Sequence, residues 1–315
     1  TLYDEPFADA SQIPTYLVAQ LARTQVTVSL SGDGGDELFG GYNGYCWIPR
    51  IWKGVATLPL PLRRAFAFLL TRPSPKAWNL VFKLAKPFLP KRYAVPLAGD
   101  KVHKLADLLL LDSPESMYDL LVSLWKLQAE DVLRSATCAE TILDQPLSWP
   151  PLHSPEERMM YLDQKTYLPD DVLVKVDRAA MGVSLESRMP FLDPSIVAFA
   201  WRLPLAMKIR HGQGKWLLRQ VLKQYLPSSL IDRPKMGFGI PLDTWLRGPL
   251  RDWTEALLDK RRLVLGGLFD PRPIRAKWAE HLSGRRNWQS ALWCVLMFEA
   301  WRESQLCQAP AQVHV

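Results

Sequence analysis

Val26-Thr27-Val28-Ser29-Leu30-Ser31-Gly32-Asp33-Gly34-Gly35-Asp36-Glu37-Leu38-Phe39-Gly40-Gly41-Tyr42 is the stretch that decides the fold. Its first six residues are β-branched and apolar in the manner of a buried strand, and they run into a glycine-rich loop. Upstream, residues 14–24 read as a helix opened by Pro14, with Leu17, Val18, Leu21 and Ala22 on its apolar face. Helix, strand and glycine loop in succession are the unit of a doubly wound parallel sheet. The expectation is an α/β remnant over residues 1–50, with Asp33 and Asp36 on a loop at the carboxyl end of a central parallel strand.

Glycines let backbone N–H groups approach a phosphate closely, because no Cβ intervenes and positive φ is cheap. Carboxylates in the same loop would repel a bare phosphate. Asp33 and Asp36 therefore fit phosphate chemistry only with a divalent cation between, or if one of them faces a different reacting group. A tight turn whose aspartates cap the next helix fits the loop equally well. The loop is neither a Walker A motif, since no Gly-Lys-Ser/Thr follows, nor a dinucleotide fingerprint, since the glycine spacing differs. It needs basic partners from elsewhere. The candidates are Lys175 with Arg178, one helical turn apart, and Lys235 in the proline- and glycine-flanked stretch Arg233-Pro234-Lys235-Met236-Gly237.

After residue 50 helical periodicity takes over, and the chain divides into a basic then amphipathic region (51–160), a helical region completing the site (161–250) and C-terminal helices with a frayed tail (251–315). Ser113 and Pro114 read as N-cap and first residue of one helix. Another follows Pro169, from Asp170 to about Ser184. A third spans Lys215 to Tyr225, with Leu217, Leu218, Val221 and Leu222 inward and Lys215, Arg219 and Lys223 on the wet face.

Composition narrows the class. The 315 residues are 48% hydrophobic and 23% charged, the balance of a globular chain, which excludes a disordered tail or a small disulfide scaffold. No apolar run approaches the length of a membrane span. The four cysteines form no C-x-x-C pair, which fits a reducing cytoplasm. The net charge of +7 is concentrated: residues 51–104 hold eleven Lys or Arg against Asp100 alone. Such a segment could bind RNA or an anionic membrane, but composition favours the plainer reading, a solvated helical face with its apolar side in the core, and no nucleic-acid partner is expected. Thr1 in place of Met predicts a chain that begins mid-protein; a fragment boundary explains it more simply than an N-terminal nucleophile does.

Three long stretches carry a family resemblance. Ser31 through Tyr42, Tyr167-Leu168-Pro169-Asp170-Asp171-Val172-Leu173-Val174-Lys175-Val176-Asp177-Arg178, and Leu185-Glu186-Ser187-Arg188-Met189-Pro190-Phe191-Leu192-Asp193 resemble the synthetase domain of glutamine-dependent asparagine synthetases. The match runs in order from Asp4-Glu5-Pro6 to the Arg233–Trp245 segment. It implies an ATP pyrophosphatase fold, and a reaction in which ATP adenylates the aspartate side chain to β-aspartyl-AMP and ammonia, released from glutamine by an N-terminal glutaminase domain, displaces AMP. By position, Ser31, Gly32, Gly34 and Gly35 resemble the ATP-binding loop. Asp33 falls where many members have Glu, at the position associated with the acyl-adenylate. Asp36 resembles a Mg²⁺ ligand, and Lys235 the lysine that stabilises charge on the leaving pyrophosphate. Asp177 and Glu186 resemble residues lining the acceptor pocket; nine positions apart, they would face opposite ways on a straight helix, so both serve one pocket only if the helix ends between them.

The family's first nucleotide loop, Ser-Gly-Gly-x-Asp-Ser, and its N-terminal Cys do not occur in this sequence. The resemblance thus implies an N-terminally truncated fragment holding half of an ATP site, with a homodimer among the assemblies it allows. Asp33 is one methylene shorter than Glu, a retreat of roughly 1.5 Å. That keeps open the amide-forming relatives that activate other carboxylates, such as sugar acids and peptides. A non-catalytic basic binding module is the alternative from another class.

Overall fold

Val28–Leu30 pairs in parallel with Glu186–Arg188, in the register Val28 to Glu186, Ser29 to Ser187 and Leu30 to Arg188. In the computed structural model, which describes residues 2–85, 98–125, 132–134, 140–232 and 237–308, this is a two-stranded sheet amid helices. The partner strand comes from the Leu185–Asp193 stretch, outside the expected α/β remnant. The chain divides into two compact units, Thr1–Tyr42 with Leu124–Leu152 and Met160–Val315, and Asn43–Ser123 with His153–Met159.

In the first unit the helix Gln12–Arg23 packs on the helix Val174–Met181. The contact is made by small residues, Ala19 and Ala180 with Leu185, flanked by Ala22 and Val183. This reverses the expected orientation: Leu17, Val18 and Leu21 face solvent, Leu21 at 72% exposure. The strand is not the buried one expected either, since Val28 is exposed and Leu30 is 75% exposed. Only Ser29 turns inward, where its hydroxyl lies 3.3 Å from that of Ser187.

The largest core of this unit lies among the helices Leu242–Arg247, Arg251–Leu257, Pro271–Leu282 and Gln289–Gln308. Leu246, Leu258, Ile274, Trp278, Leu292 and Leu296 are fully buried there. The Trp278 indole donates to Glu255 at 2.7 Å, and Arg275 closes on the same carboxylate at 2.6 Å, so the one polar group of that ring is satisfied.

The second unit is helical. Its core joins Val55, Ala67, Ala106 and Leu109, with Trp52 and Leu70 against them. The buried Arg63 donates to the Leu111 carbonyl at 2.6 Å. Ser113 caps Pro114–Val122 as the sequence predicts, accepting the Ser116 amide at 3.0 Å. The helices Leu60–Thr71 and Pro75–Ala85 both pack on Ala98–Leu109. Their apolar residues are not all inside, as composition would have them: Leu62, Phe66, Leu69, Leu80, Val81 and Leu84 are exposed.

Candidate active site

The Ser31 amide donates to the Arg188 carbonyl at 2.8 Å, which carries the strand pairing one residue past Leu30. The chain then reverses at Gly34, whose φ of +84° suits glycine; a Cβ there would fall 2.4 Å from Leu192 Cδ2. The reversal starts a short helix, Gly35–Phe39, with Asp36 and Glu37 in its first turn, where the aligned peptide dipoles favour negative charge. Across the loop mouth the Ser31 hydroxyl donates to Asp33 Oδ2 at 2.5 Å. Gly32 stands between them with no atom within 4 Å of where its Cβ would be. That side of the loop is open to a ligand.

Glu37 points the other way. It is buried, and the Tyr42 hydroxyl donates to it at 2.6 Å. Burial pushes its carboxyl above the usual range against the pull of that hydrogen bond.

Lys215 completes the loop. Its backbone takes the left-handed conformation, φ +56°, and its amide donates to the Phe39 carbonyl at 2.9 Å. The preceding Gly214 lies so close to the loop that a Cβ would sit 2.1 Å from the Gly40 carbonyl oxygen. So placed, the Lys215 ammonium is 3.1 Å from Asp36 Oδ2. The helix Trp216–Leu222 starts only afterwards, and Leu218 packs against Leu38 and Phe39. Lys215 is therefore not on the wet face of a helix, as periodicity suggested, but half-buried beside the glycine loop. The donor set fits a magnesium–phosphate pair: carboxylates suit a hard dication, and an ammonium suits the phosphate it carries.

The lysine and arginine expected to serve this loop are engaged elsewhere. Lys175 pairs with Asp9 at 2.6 Å, and Arg178 pairs with Asp4. Both tie the Asp4–Asp9 segment to the helix that follows a π-helical turn at Leu168–Leu173. Next to Lys175 lies Asp171, whose carboxyl is pushed up to about 6 by burial and by the neighbouring Asp9 charge, with Lys175 opposing. Asp171 Oδ1 and the Tyr3 hydroxyl are buried without hydrogen-bond partners. Burial raises Tyr3 to about 12, and raises Tyr42 and Tyr167 as well.

The helix carrying Asp177 ends at Met181, so the condition for Asp177 and Glu186 to share a pocket is met. Asp177 is exposed, while Glu186 accepts from Arg188 Nε at 2.8 Å and pairs in register with Val28, at the strand end away from the glycine loop. Lys235 lies outside the described residues. Among the described residues no cluster of three or more acidic, histidine or cysteine side chains could hold a metal unaided.

The profile of one family, described as asparagine synthase, matches residues 1–303. This chain belongs to the asparagine synthase family. Members have the ATP pyrophosphatase fold, with which the parallel pair and its glycine loop are compatible. A Mycobacterium tuberculosis protein assigned as a glutamine-hydrolysing asparagine synthetase is 34% identical over 306 residues, covering 95% of this chain and 42% of its own. Glutamine-hydrolysing asparagine synthetase 1 of Bacillus subtilis is 28% identical over 302 residues, covering 95% of this chain and 44% of its own. A Gibberella zeae amidase, chry2, is 24% identical over 289 residues, or 86% of this chain. The chain thus spans less than half the length of the curated relatives it matches. Periodicity gave neither the place of Lys215 beside the loop nor the pairing of Asp9 with Lys175. Glycines 212 and 214 around Gln213 were the available signal for Lys215, since they mark a turn rather than a helix start.

Proposed function

We propose that this chain provides synthetase-domain residues of an ATP-dependent amide ligase that makes asparagine from aspartate, with ammonia released from glutamine by a glutaminase domain. The observation that carries this reading is the Asp36–Lys215 pair set beside an open-sided glycine loop at the end of a parallel strand. In this reading the sheet is the doubly wound kind, and ligands bind at the carboxyl ends of its strands.

Asp36 would hold Mg²⁺, which when bound neutralises charge on the ATP phosphates. The open face at Gly32, with the backbone of Gly34 and Gly35, admits the nucleotide. Ser31 fixes one oxygen of Asp33 and so sets where that carboxylate stands when the acceptor is adenylated. Lys215 holds Asp36 in the free protein and meets phosphate oxygens when the site fills; Lys235 stabilises the leaving pyrophosphate. Asp177 and Glu186 are proposed for the acceptor pocket.

The test is acceptor-dependent ATP–pyrophosphate exchange by the whole protein. Exchange that requires aspartate and Mg²⁺ is the expected result; its absence with every carboxylic acid offered would remove the ligase assignment. A second reading keeps the chemistry and changes the acceptor. It is favoured by the Asp33 side chain, one methylene short and drawn back to Ser31, and by the likeness to a protein named as an amidase. Exchange with another acid but not with aspartate would select it.

A further inference from the structure

We propose that the consecutive helices Leu60–Thr71 and Pro75–Ala85, both packed on Ala98–Leu109, form a docking face for an anionic lipid bilayer. On the first helix Arg63, Ala67 and Leu70 turn inward, while Leu62, Phe66 and Leu69, spaced as one face, are 50%, 48% and 61% exposed. On the second helix the Trp78 indole reaches back to the Leu70 carbonyl at 2.8 Å and Phe82 sits beside it. The opposite flank presents Leu80, Val81 and Leu84, at 58%, 51% and 68% exposure. Two consecutive helices thus leave their larger aliphatic side chains outside the core they help to build.

Charge identifies what covers them. From Ile51 to Gly99 the sequence has no Asp or Glu. Arg64, Arg72 and Lys83 are exposed around the apolar flanks, and the Arg72 guanidinium lies 4.5 Å from the Phe68 ring centroid. A basic rim around an aliphatic face is the pattern of a helix that lies in the interface of an anionic membrane, apolar side down and cations at the headgroups. RNA would use the cations and could stack on Phe66 and Phe68, but it gains little from Leu62, Leu69, Leu80, Val81 and Leu84, which outnumber them on the exposed flanks. A second copy would bring two faces of the same positive charge together. Among the described residues no helix is long and apolar enough to cross a membrane.

The experiment is vesicle co-sedimentation of the full chain, with phosphatidylcholine vesicles and with vesicles carrying roughly 30% phosphatidylglycerol. The expected result is binding to the anionic vesicles alone, weakened about tenfold or more between 50 and 500 mM salt, roughly as for other polybasic contacts. Leu62→Glu with Phe66→Glu should lower partitioning about 100-fold. Both positions are exposed, and an unchanged circular dichroism spectrum confirms that this variant folds. Arg64→Glu with Lys83→Glu should remove the preference for anionic lipid. Failure of the wild-type chain to sediment with anionic vesicles overturns the proposal. Lipid binding untouched by the Leu62 and Phe66 substitutions also overturns it, as does salt-sensitive binding to a single-stranded RNA in place of lipid. A wild-type dimer that those two substitutions dissociate assigns the face to a second copy instead.

Discussion

The Lys215 ammonium stands 3.1 Å from the Asp36 carboxylate, joining a lysine in the left-handed backbone region to the first turn of the glycine-loop helix. The pair draws its ends from distant parts of the sequence, and the backbone bond from the Lys215 amide to Phe39 holds it in place. Lys215→Ala should lower acceptor-dependent ATP–pyrophosphate exchange about 10- to 100-fold, the effect of losing one preorganised charge. Lys215→Gly separates charge from backbone: it relieves about 1 kcal/mol of left-handed strain, so melting temperature should hold or rise while exchange falls as far as in the alanine variant. Retained exchange in Lys215→Gly would reduce the lysine to a turn residue.

Lys235 is expected to act on the leaving pyrophosphate. Lys235→Ala should reduce exchange roughly 10²–10³-fold in the whole protein. Lys223, exposed at the C-terminal cap of the helix Trp216–Leu222, is the comparison residue, and Lys223→Ala should change the rate little. Near-normal exchange in Lys235→Ala would take that residue out of the site.

Two glycines should respond oppositely to alanine. Gly32 has space for a methyl group, so Gly32→Ala should leave the melting temperature within a degree or so while weakening nucleotide binding, because the new Cβ occupies the open side of the loop. Gly214→Ala drives a Cβ against the fixed Gly40 carbonyl and should cost about 2 kcal/mol or more of stability. Thermal unfolding and nucleotide titration of both variants distinguish a packing glycine from a binding one.

Asp171 gives the fold a pH response. Its carboxyl is held at about 6 in the folded chain against 3.8 ordinarily, so its favourable protonated form is fully present below about pH 4 and lost as pH rises through 6. Above that, folding must accommodate a charge that burial and Asp9 oppose and Lys175 only partly offsets. Asp171→Asn should remove this component and raise stability at pH 8 by about 1 kcal/mol, allowing for partial exposure. Unfolding curves at pH 4, 6 and 8 measure it. A variant that is less stable than wild type at pH 8 would show that the ionised carboxylate holds Lys175 in place.

Features with a local cause could be read from the sequence. Ser113 and Pro114 fix a helix start through one side-chain bond and one fixed φ, and Gly34 marks its turn because no other residue suits it. Orientation was harder to read. The helix Gln12–Arg23 carries two apolar faces, and the buried one is the alanine face, where Ala19 packs with Ala180 and Leu185. Periodicity weights bulk, so it chose Leu17 and Leu21. In the site, the loop itself was legible but its cation was not: Lys175 and Arg178 look available on their helix, yet Asp9 and Asp4 engage them. Lys215 reads as a solvated helix residue until the turn at Gly214 is seen.

The parallel pairing also sets an order of events during synthesis. Ser29 and Ser187 are 158 positions apart. At ordinary elongation rates of about 5–20 residues per second, the strand before the glycine loop waits roughly 8–30 seconds for its partner to leave the ribosome. Val28 and Leu30 spend that interval without the Glu186–Arg188 strand beside them. Closing so long a loop is slow compared with forming the flanking helices, so the glycine loop is fixed in place only after the helices around it have formed.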